Sequence, residues 1–320
     1  MRAVWMDGFG GPDVLRVVDT AVPVPGPDEV LIEVRAAGVS YGDIMKRQGG
    51  FGTELELPAG LGQEVAGTVR QTCAGGPAVG TRVAAMVDHG YAEYAVARPD
   101  AVVTLPDAVD YQSAAALWIQ GLTAYQTLCE AGDLRSGEVV LVHAAAGGVG
   151  TLATQLAKLL GAHRVIGTAG TPDKLDHVRA HGADIAVDYS DPGWTKAVLD
   201  ATGGRGVDLV LDSVGGHISQ QTLDCIRPFG RIVSFGAASG TAAAYSAMPL
   251  MTSNLTVTGY SLLGWLKRSD RTRQALERLL GFLARDELRL TIADYPLDDV
   301  VRAHRALGER RTVGKVVLRP

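Results

Sequence analysis

Cysteine is scarce in this chain: Cys73, Cys129 and Cys225 are the whole supply among 320 residues. Three widely spaced thiols, odd in number, make neither a disulfide framework nor a paired-cysteine metal knuckle, so a reducing cytoplasm is the expected compartment. Long hydrophobic runs are missing too. No stretch approaches an uninterrupted membrane-spanning length, and the first thirteen residues, Met1 to Asp13, contain no apolar segment behind a basic start. Neither an integral membrane protein nor one carrying an evident secretory signal is expected. Charge of one sign is not in large excess: 30 Lys and Arg against 35 Asp and Glu leave a net of −5, which gives no bulk attraction to nucleic acid or anionic lipid. Internal repeats and low-complexity tracts are also lacking. What is present is apolar chain, 47% of the residues, enough to build two domains around two cores.

The first hundred or so residues alternate short β-rich runs with glycine and proline punctuation. Strands are expected at Glu29 to Arg35, Glu64 to Arg70 and Tyr91 to Ala97, with turn-rich pieces such as Ala74 to Gly80 between. From about Ser113 the pattern becomes helix, strand, helix, strand. Continuous apolar runs at Val139 to Val142, Arg164 to Gly167, Val207 to Leu211 and Arg231 to Phe235 read as buried parallel strands. That alternation predicts a doubly wound α/β sheet. The segment from Ala293 to Pro320 returns to a helix and a terminal strand, Lys315 to Leu318. The expected division is residues 1–115 with 264–320 as one domain and 116–263 as the other.

The segment Glu138 to Gly161 is the most informative. A buried strand enters a small-residue turn, Ala144 to Gly150, and leaves it as a helix whose apolar positions Val149, Leu152, Leu156 and Leu160 recur at helical spacing before Gly161 stops it. A dinucleotide pyrophosphate needs backbone N–H groups at a helix N-terminus with no side chain in the way. Small residues at Ala144, Ala146, Gly147, Gly148 and Gly150, with Val149 in the first turn, meet that need.

The second strand bears on which dinucleotide. NAD sites place a carboxylate near its end, about 20 residues beyond the glycines, to accept the ribose 2′-OH. Here Gly167, Thr168, Ala169 and Gly170 occupy the place. Thr171 reads as an N-cap, Pro172 as the first helical residue, and Lys174 follows in the first turn. A helix N-terminus and an ammonium therefore converge where a 2′-phosphate would lie, which favours NADPH. Asp173 reads as a first-turn dipole residue and His143 as a packed strand-end histidine.

With these motifs in place, the chain resembles the medium-chain dehydrogenase/reductase superfamily, in the branch of the zeta-crystallin-like quinone oxidoreductases and the related vesicle amine transport protein. The matching stretches are Gly38 to Gly49, Gly62 to Gly67, Gly121 to Tyr125, the Ala-Ala-Ala-Gly-Gly-Val-Gly turn, Gly167 to Thr171, Asp212 to Gly216 and Gly314 to Leu318. The resemblance spans nearly the whole chain. It implies a GroES-like β domain built from both termini, a central Rossmann domain, an active cleft between them, and a homodimer or an assembly of dimers.

The resemblance also implies site residues. Thr123 matches the residue near the nicotinamide amide, and Tyr189 an aromatic near the adenosine phosphate. Phe235, Gly236 and Ala237, with Tyr260, Ser261 and Leu262, match the lining of the nicotinamide pocket. Alcohol dehydrogenases of the superfamily bind catalytic zinc through a cysteine and a histidine; the matching places hold Ser40 and Gln63, which supply neither thiolate nor imidazole. No zinc is therefore expected, and hydride addition to a quinone or an activated C=C is favoured over alcohol oxidation.

Two further departures are Phe51, where the branch commonly has tyrosine, and Ser40, where it commonly has asparagine. Tyr41 and Asp43 remain candidates to supply a proton or orient substrate, with helix capping the alternative for Asp43. The basic stretch Lys267 to Arg273 reads as a solvated face, or else as an attraction for an acidic or thioester-carried substrate. Three readings stand: an NADPH-dependent quinone reductase, which leads; an NADPH-dependent enoyl or enone reductase; and a non-catalytic NADPH-binding protein.

Overall fold

The computed structural model describes residues 1–50 and 55–320. The chain divides into two compact units, Met1–Gln120 with Leu276–Pro320, and Gly121–Ala275. The first opens with β1 (Arg2–Met6), β2 (Leu15–Asp19) and β3 (Val30–Val39), then helix α1 (Tyr41–Arg47). It continues through β4 (Ala59–Gly60), β5 (Glu64–Gln71), β6 (Arg82–Met86), β7 (Tyr94–Ala97), β8 (Val102–Thr104) and the short α2 (Tyr111–Ala114). Strand β3 runs four residues past the expected Arg35. Its small residues Ala36, Ala37 and Gly38 let other chain segments approach closely: a Cβ on Gly38 would lie 2.3 Å from the Ala115 carbonyl oxygen. Strand β7 begins three residues later than expected, because the Tyr91 N–H donates to the Leu61 carbonyl and the tyrosine joins the core.

The second unit carries α3 (Leu122–Gln126), β9 (Val139–Val142), α4 (Gly148–Leu159), β10 (Arg164–Ala169), α5 (Pro172–Ala180) and β11 (Ile185–Asp188). It continues with α6 (Trp194–Ala201), β12 (Val207–Asp212), α7 (Gly216–Thr222), β13 (Ile226–Ser234), α8 (Ala247–Thr252), β14 (Thr256–Gly259) and α9 (Leu262–Leu266). All the ladders of this six-stranded sheet are parallel, in the order β11-β10-β9-β12-β13-β14. That is the doubly wound order with its switch point between β9 and β12, so ligands are expected at the C-terminal ends of those strands. Leu141, Ile166, Val210 and Ile232 fill the core on one face with Trp194. Continuous apolar strands follow from burial on both faces.

Helix α10 (Ser269–Ala284) leads back to the first unit, which is completed by β15 (Ile292–Pro296), α11 (Val300–Gly308) and β16 (Lys315–Arg319). These strands extend the first unit's larger sheet to β15-β16-β3-β5-β6-β8, with β7 also paired to β3. Strand β15 carries Asp294 and ends on Pro296 at the sheet's edge, half exposed, which hid it from pattern reading. The unit thus draws on both ends of the given chain, Met1–Gln120 and Leu276–Pro320. Among the described residues, no helix is long and apolar enough to cross a membrane.

Candidate functional site

The candidate residues fall into two groups, one in each unit. In the first, Ser40 is the N-cap of α1 and Asp43 its third residue. The Ser40 N–H and Oγ–H both donate to Asp43 Oδ2 at 2.8 Å, and the Asp43 N–H donates back to Ser40 Oγ at 3.3 Å. This is a reciprocal capping box, and Asp43 is fully buried within it. Of the two uses weighed for Asp43, the geometry shows capping. Tyr41, the first residue of the helix, is 37% exposed. A Cβ placed on Gly42 would lie 3.4 Å from Ser40 Oγ and 4.0 Å from Gln63 Oε1, so the serine and the glutamine flank one small opening. Phe51 lies outside the described residues.

Next to Gln63, Glu64 is fully buried beside Lys315, whose Nζ also donates to Gln120 Oε1 at 2.6 Å; the Ile119 N–H donates to Glu64 Oε2 at 3.0 Å. Burial pushes the Glu64 carboxyl up and the Lys315 ammonium down, while each opposes the other's shift. Each charge has its partner and a further hydrogen bond, as a desolvated ion pair requires. A second buried string joins Arg47, His304 and Tyr91: Arg47 Nη1 lies 3.3 Å from His304 Nδ1, and His304 Nε2 lies 3.3 Å from the Tyr91 hydroxyl. Burial, then the nearby Arg47, hold His304 down at about 3, and burial with Asp43 raises the Tyr91 phenol well above its usual range.

In the second unit, β9 enters the turn with Ala144 in the left-handed conformation, φ 48°. The Gly147 N–H donates to the Ala144 carbonyl at 3.0 Å, and α4 starts immediately after, with Gly147 as its N-cap. A Cβ on Gly150 would lie 2.4 Å from the Ala144 carbonyl oxygen and 2.6 Å from Ala145 Cα, so only glycine lets the helix sit this close to the turn. The amides of Gly148, Val149 and Gly150 belong to the first turn and have no intrahelical acceptor. An array of such amides at a strand C-terminus suits an anion. His143, behind the turn, is fully buried; its ring nitrogens lie 2.9 Å from Thr168 Oγ1 and 2.8 Å from Thr222 Oγ1, its ring meets Trp194 edge-on, and burial holds it down at about 4. It packs as the sequence indicated.

At the end of β10, Thr171 is the N-cap of α5 with Pro172 in the first turn, although the threonine side chain makes no capping bond. Lys174 is half-buried in that turn. A Cβ on Gly170 would be 3.2 Å from the Tyr189 ring, so Gly170, Thr171 and Tyr189 come together. Phe235, Gly236 and Ala237 follow β13; the Phe235 N–H donates to the Asp212 carbonyl, and a Cβ on Gly236 would lie 2.7 Å from the Ser213 carbonyl oxygen. Tyr260 follows β14 and donates its hydroxyl to Gln126 Oε1 at 2.8 Å. Burial raises its phenol, partly opposed by a hydrogen bond from Thr123. Ser261 is the N-cap of α9 and Leu262 its first residue.

Two residues escaped the sequence reading. Gln126 sits three positions after Thr123 on α3, a spacing that puts both on one face. Asp212 is fully buried at the end of β12: its Oδ1 accepts from the Val214 and Gly215 N–H groups, and its Oδ2 from Ser219 Oγ and the Tyr245 hydroxyl. The Asp-Ser-Val-Gly-Gly stretch was visible, but its long-range partner Tyr245 was not.

Comparison with known proteins adds to this geometry. The family model described as alcohol dehydrogenase GroES-like domain matches residues 26–107, and that described as zinc-binding dehydrogenase matches 148–281. A quinone oxidoreductase of Pseudomonas aeruginosa is 38% identical over 325 residues, covering 100% of this chain and 99% of that protein. The structure of Escherichia coli quinone oxidoreductase complexed with NADPH superposes with a TM-score of 0.93 at 33% identity, covering 100% of each chain. A mycobacterial protein complexed with NADPH gives a TM-score of 0.93 at 35% identity with the same coverage. Despite the second model's description, Ser40 and Gln63 are poor zinc ligands, and the Ser40 hydroxyl is engaged in the capping box.

Proposed function

The chain belongs to the zeta-crystallin-like quinone oxidoreductase branch of the medium-chain dehydrogenase/reductase superfamily, and from that premise we propose that it transfers hydride from NADPH to a quinone or similarly activated acceptor. The carrying observation is the glycine-cleared turn at the start of α4, followed one strand later by a strand end, Gly167 to Gly170, that holds no carboxylate and leads into the helix start bearing Thr171 and Lys174. The residues fit NADPH. First-turn amides from Gly148 to Gly150 would hold the pyrophosphate, with Ala146 and Gly147 clearing the approach. Gly170, Thr171, Lys174 and Tyr189 would surround the adenosine 2′-phosphate, and Thr123, Phe235 to Ala237 and Tyr260 to Leu262 the nicotinamide. NADPH supplies the hydride.

The protein's work is orientation and exclusion of competing chemistry, because a quinone accepts hydride into an already stabilised oxyanion. Tyr41 is the assisting donor best placed by exposure. Asp43 holds the helix that presents it, and Ser40 and Gln63 supply polar lining instead of zinc ligands. The enzyme works in the cytoplasm as a homodimer. Supporting the dimer, β14 pairs only with β13 among the described residues and so offers an open edge, beside which Met248 and Met251 on α8 are 64% and 70% exposed.

Steady-state oxidation of NADPH and NADH with neutral quinones, enones and enoyl thioesters, with and without chelator, tests the reading. Quinone turnover with NADPH, insensitive to chelator, is expected. Faster turnover of enoyl thioesters would replace it with the enoyl reductase reading, and tight NADPH binding without turnover of any acceptor with the non-catalytic one.

A further inference from the structure

The residues after β14 build a recess that reaches beyond the positions assigned to the nicotinamide. Ser261, Gly264, Trp265 and Arg268 line an open recess of about 260 Å³. Its floor is clear, since a Cβ on Gly264 would meet no atom within 4 Å. Trp265, its one aromatic lining residue, is braced from two sides of the sequence. The Tyr260 ring, fixed through its hydroxyl to the buried Gln126, stacks on Trp265 at 6.3 Å and 21°. The Arg268 guanidinium lies over the Trp265 ring, 5.1 Å from its centre. Thr272 ties the Trp265 carbonyl from α10, donating at 3.2 Å.

The charge here is unbalanced. Within Lys267 to Arg273 there are four cations and the single acid Asp270, in a chain whose total is −5. Arg271 pairs with Glu130, but among the described residues no carboxylate forms an ion pair with Lys267, Arg268 or Arg273. A guanidinium is the group best suited to receive a carboxylate, sulfonate or phosphate beside a planar ring, because its N–H donors form a planar fork and its cation is favoured over an aromatic face.

We propose that this recess is an anion subsite of the hydride acceptor, which selects planar quinones or enones carrying a negatively charged substituent: the ring stacks along Trp265 and the anion is received by Arg268. The proposal rests on the reading of the chain as an NADPH-dependent reductase, and it deepens that reading by naming a substrate class. Ser261, which caps α9 and lines the recess, is also one of the residues assigned above to the nicotinamide, so the recess adjoins the place proposed for the cofactor.

The test compares phenanthrenequinone with its monosulfonate as acceptors for the wild type, Arg268→Ala and Arg268→Lys at low and high ionic strength. Arg268→Ala is expected to raise KM for the sulfonate about tenfold at low salt, with kcat and the neutral quinone's KM changed by less than about twofold, and the difference should shrink at high salt. Arg268→Lys, which keeps the charge without the planar fork, should fall between. Equilibrium binding of anthraquinone monosulfonate, followed by tryptophan quenching, gives a readout independent of turnover. A wild type that binds the sulfonate through Arg268 yet turns over no acceptor would sink the reductase reading and leave the subsite standing. Equal effects on both quinones, no effect on the sulfonate, or a parallel loss of NADPH affinity, which would make the anion the cofactor's own phosphate, would overturn the proposal.

Discussion

Replacing the two glycines that bracket the start of α4 should separate folding from cofactor binding. At Gly150 a methyl group would sit 2.4 Å from the Ala144 carbonyl oxygen, 2.6 Å from Ala145 Cα and 2.8 Å from Ala145 C. These are backbone atoms, so the helix would have to retreat by about 1 Å to restore ordinary contact. Overpacking of that kind costs about 1–3 kcal/mol. In a unit of this size it lowers Tm by about 2–4 °C per kcal/mol. The retreat also withdraws the first-turn amides from the pyrophosphate, so Gly150→Ala should lose both stability and NADPH affinity. Gly147 differs. Its φ of −80° and ψ of 176° suit any residue, and the nearest protein atom to an added Cβ is the Ala144 carbonyl oxygen at 3.4 Å. Gly147→Ala should therefore melt within about 1 °C of wild type, yet bind NADPH about tenfold more weakly, because the new methyl occupies the path by which the backbone approaches phosphate. Thermal melting and NADPH fluorescence titration on both variants make the measurement. Wild-type NADPH affinity in Gly147→Ala would remove the turn from the cofactor site, and a wild-type melt in Gly150→Ala would refute the packing argument.

Lys174→Ala should lower the NADPH/NADH ratio of kcat/KM by an amount worth about 1–3 kcal/mol, measured by parallel steady-state kinetics; an unchanged ratio would remove Lys174 from the 2′-phosphate. Tyr41→Phe should slow quinone turnover by less than about tenfold, below the usual range of general acid catalysis, since the adduct can take its proton from water. Asp43→Asn should likewise keep turnover within about tenfold, but lower the chemical-denaturation midpoint by weakening a buried capping box; a loss of several orders of magnitude at unchanged stability would show an obligatory acid. His143 and His177, both held at about 4, and His304 at about 3, have folded values below the ordinary 6.5. The unfolded chain therefore binds more protons between those values, and stability should fall as pH drops from about 7 toward 4, each site contributing up to about 1.4 kcal/mol per pH unit. Denaturation midpoints across that range check the sign, which a flat profile would contradict.

The parallel sheet was legible because strands buried on both faces are written as unbroken apolar runs, and Val139 to Val142 or Val207 to Leu211 cannot be mistaken for turns. The strand-to-helix turn was legible because steric exclusion at Gly150 leaves a local mark. Long-range polar pairing leaves none. Nothing in the neighbourhood of Gln126 announces Tyr260, 134 positions away, nor does Asp212 announce Tyr245. Asp43 shows the same limit from the other side: the sequence left it as a proton donor or a helix cap, and only its buried hydrogen bonds with Ser40 show the capping.

The pairing of β16 with β3 has a consequence for how the protein is made. Val39, Gly38 and Ala37 find their partners in Val316, Val317 and Leu318, and Glu64 finds its counter-ion in Lys315. A ribosome delivers those partners after the whole of Gly121–Ala275. During synthesis the whole of Gly121–Ala275 emerges with its parallel sheet self-sufficient, while the earlier-made segment waits with an open strand edge and a carboxylate lacking its cation. The second unit can thus mature on the nascent chain before the first can be completed. Termination just short of Lys315 would leave one sound unit and one prone to pair with its neighbours through β3.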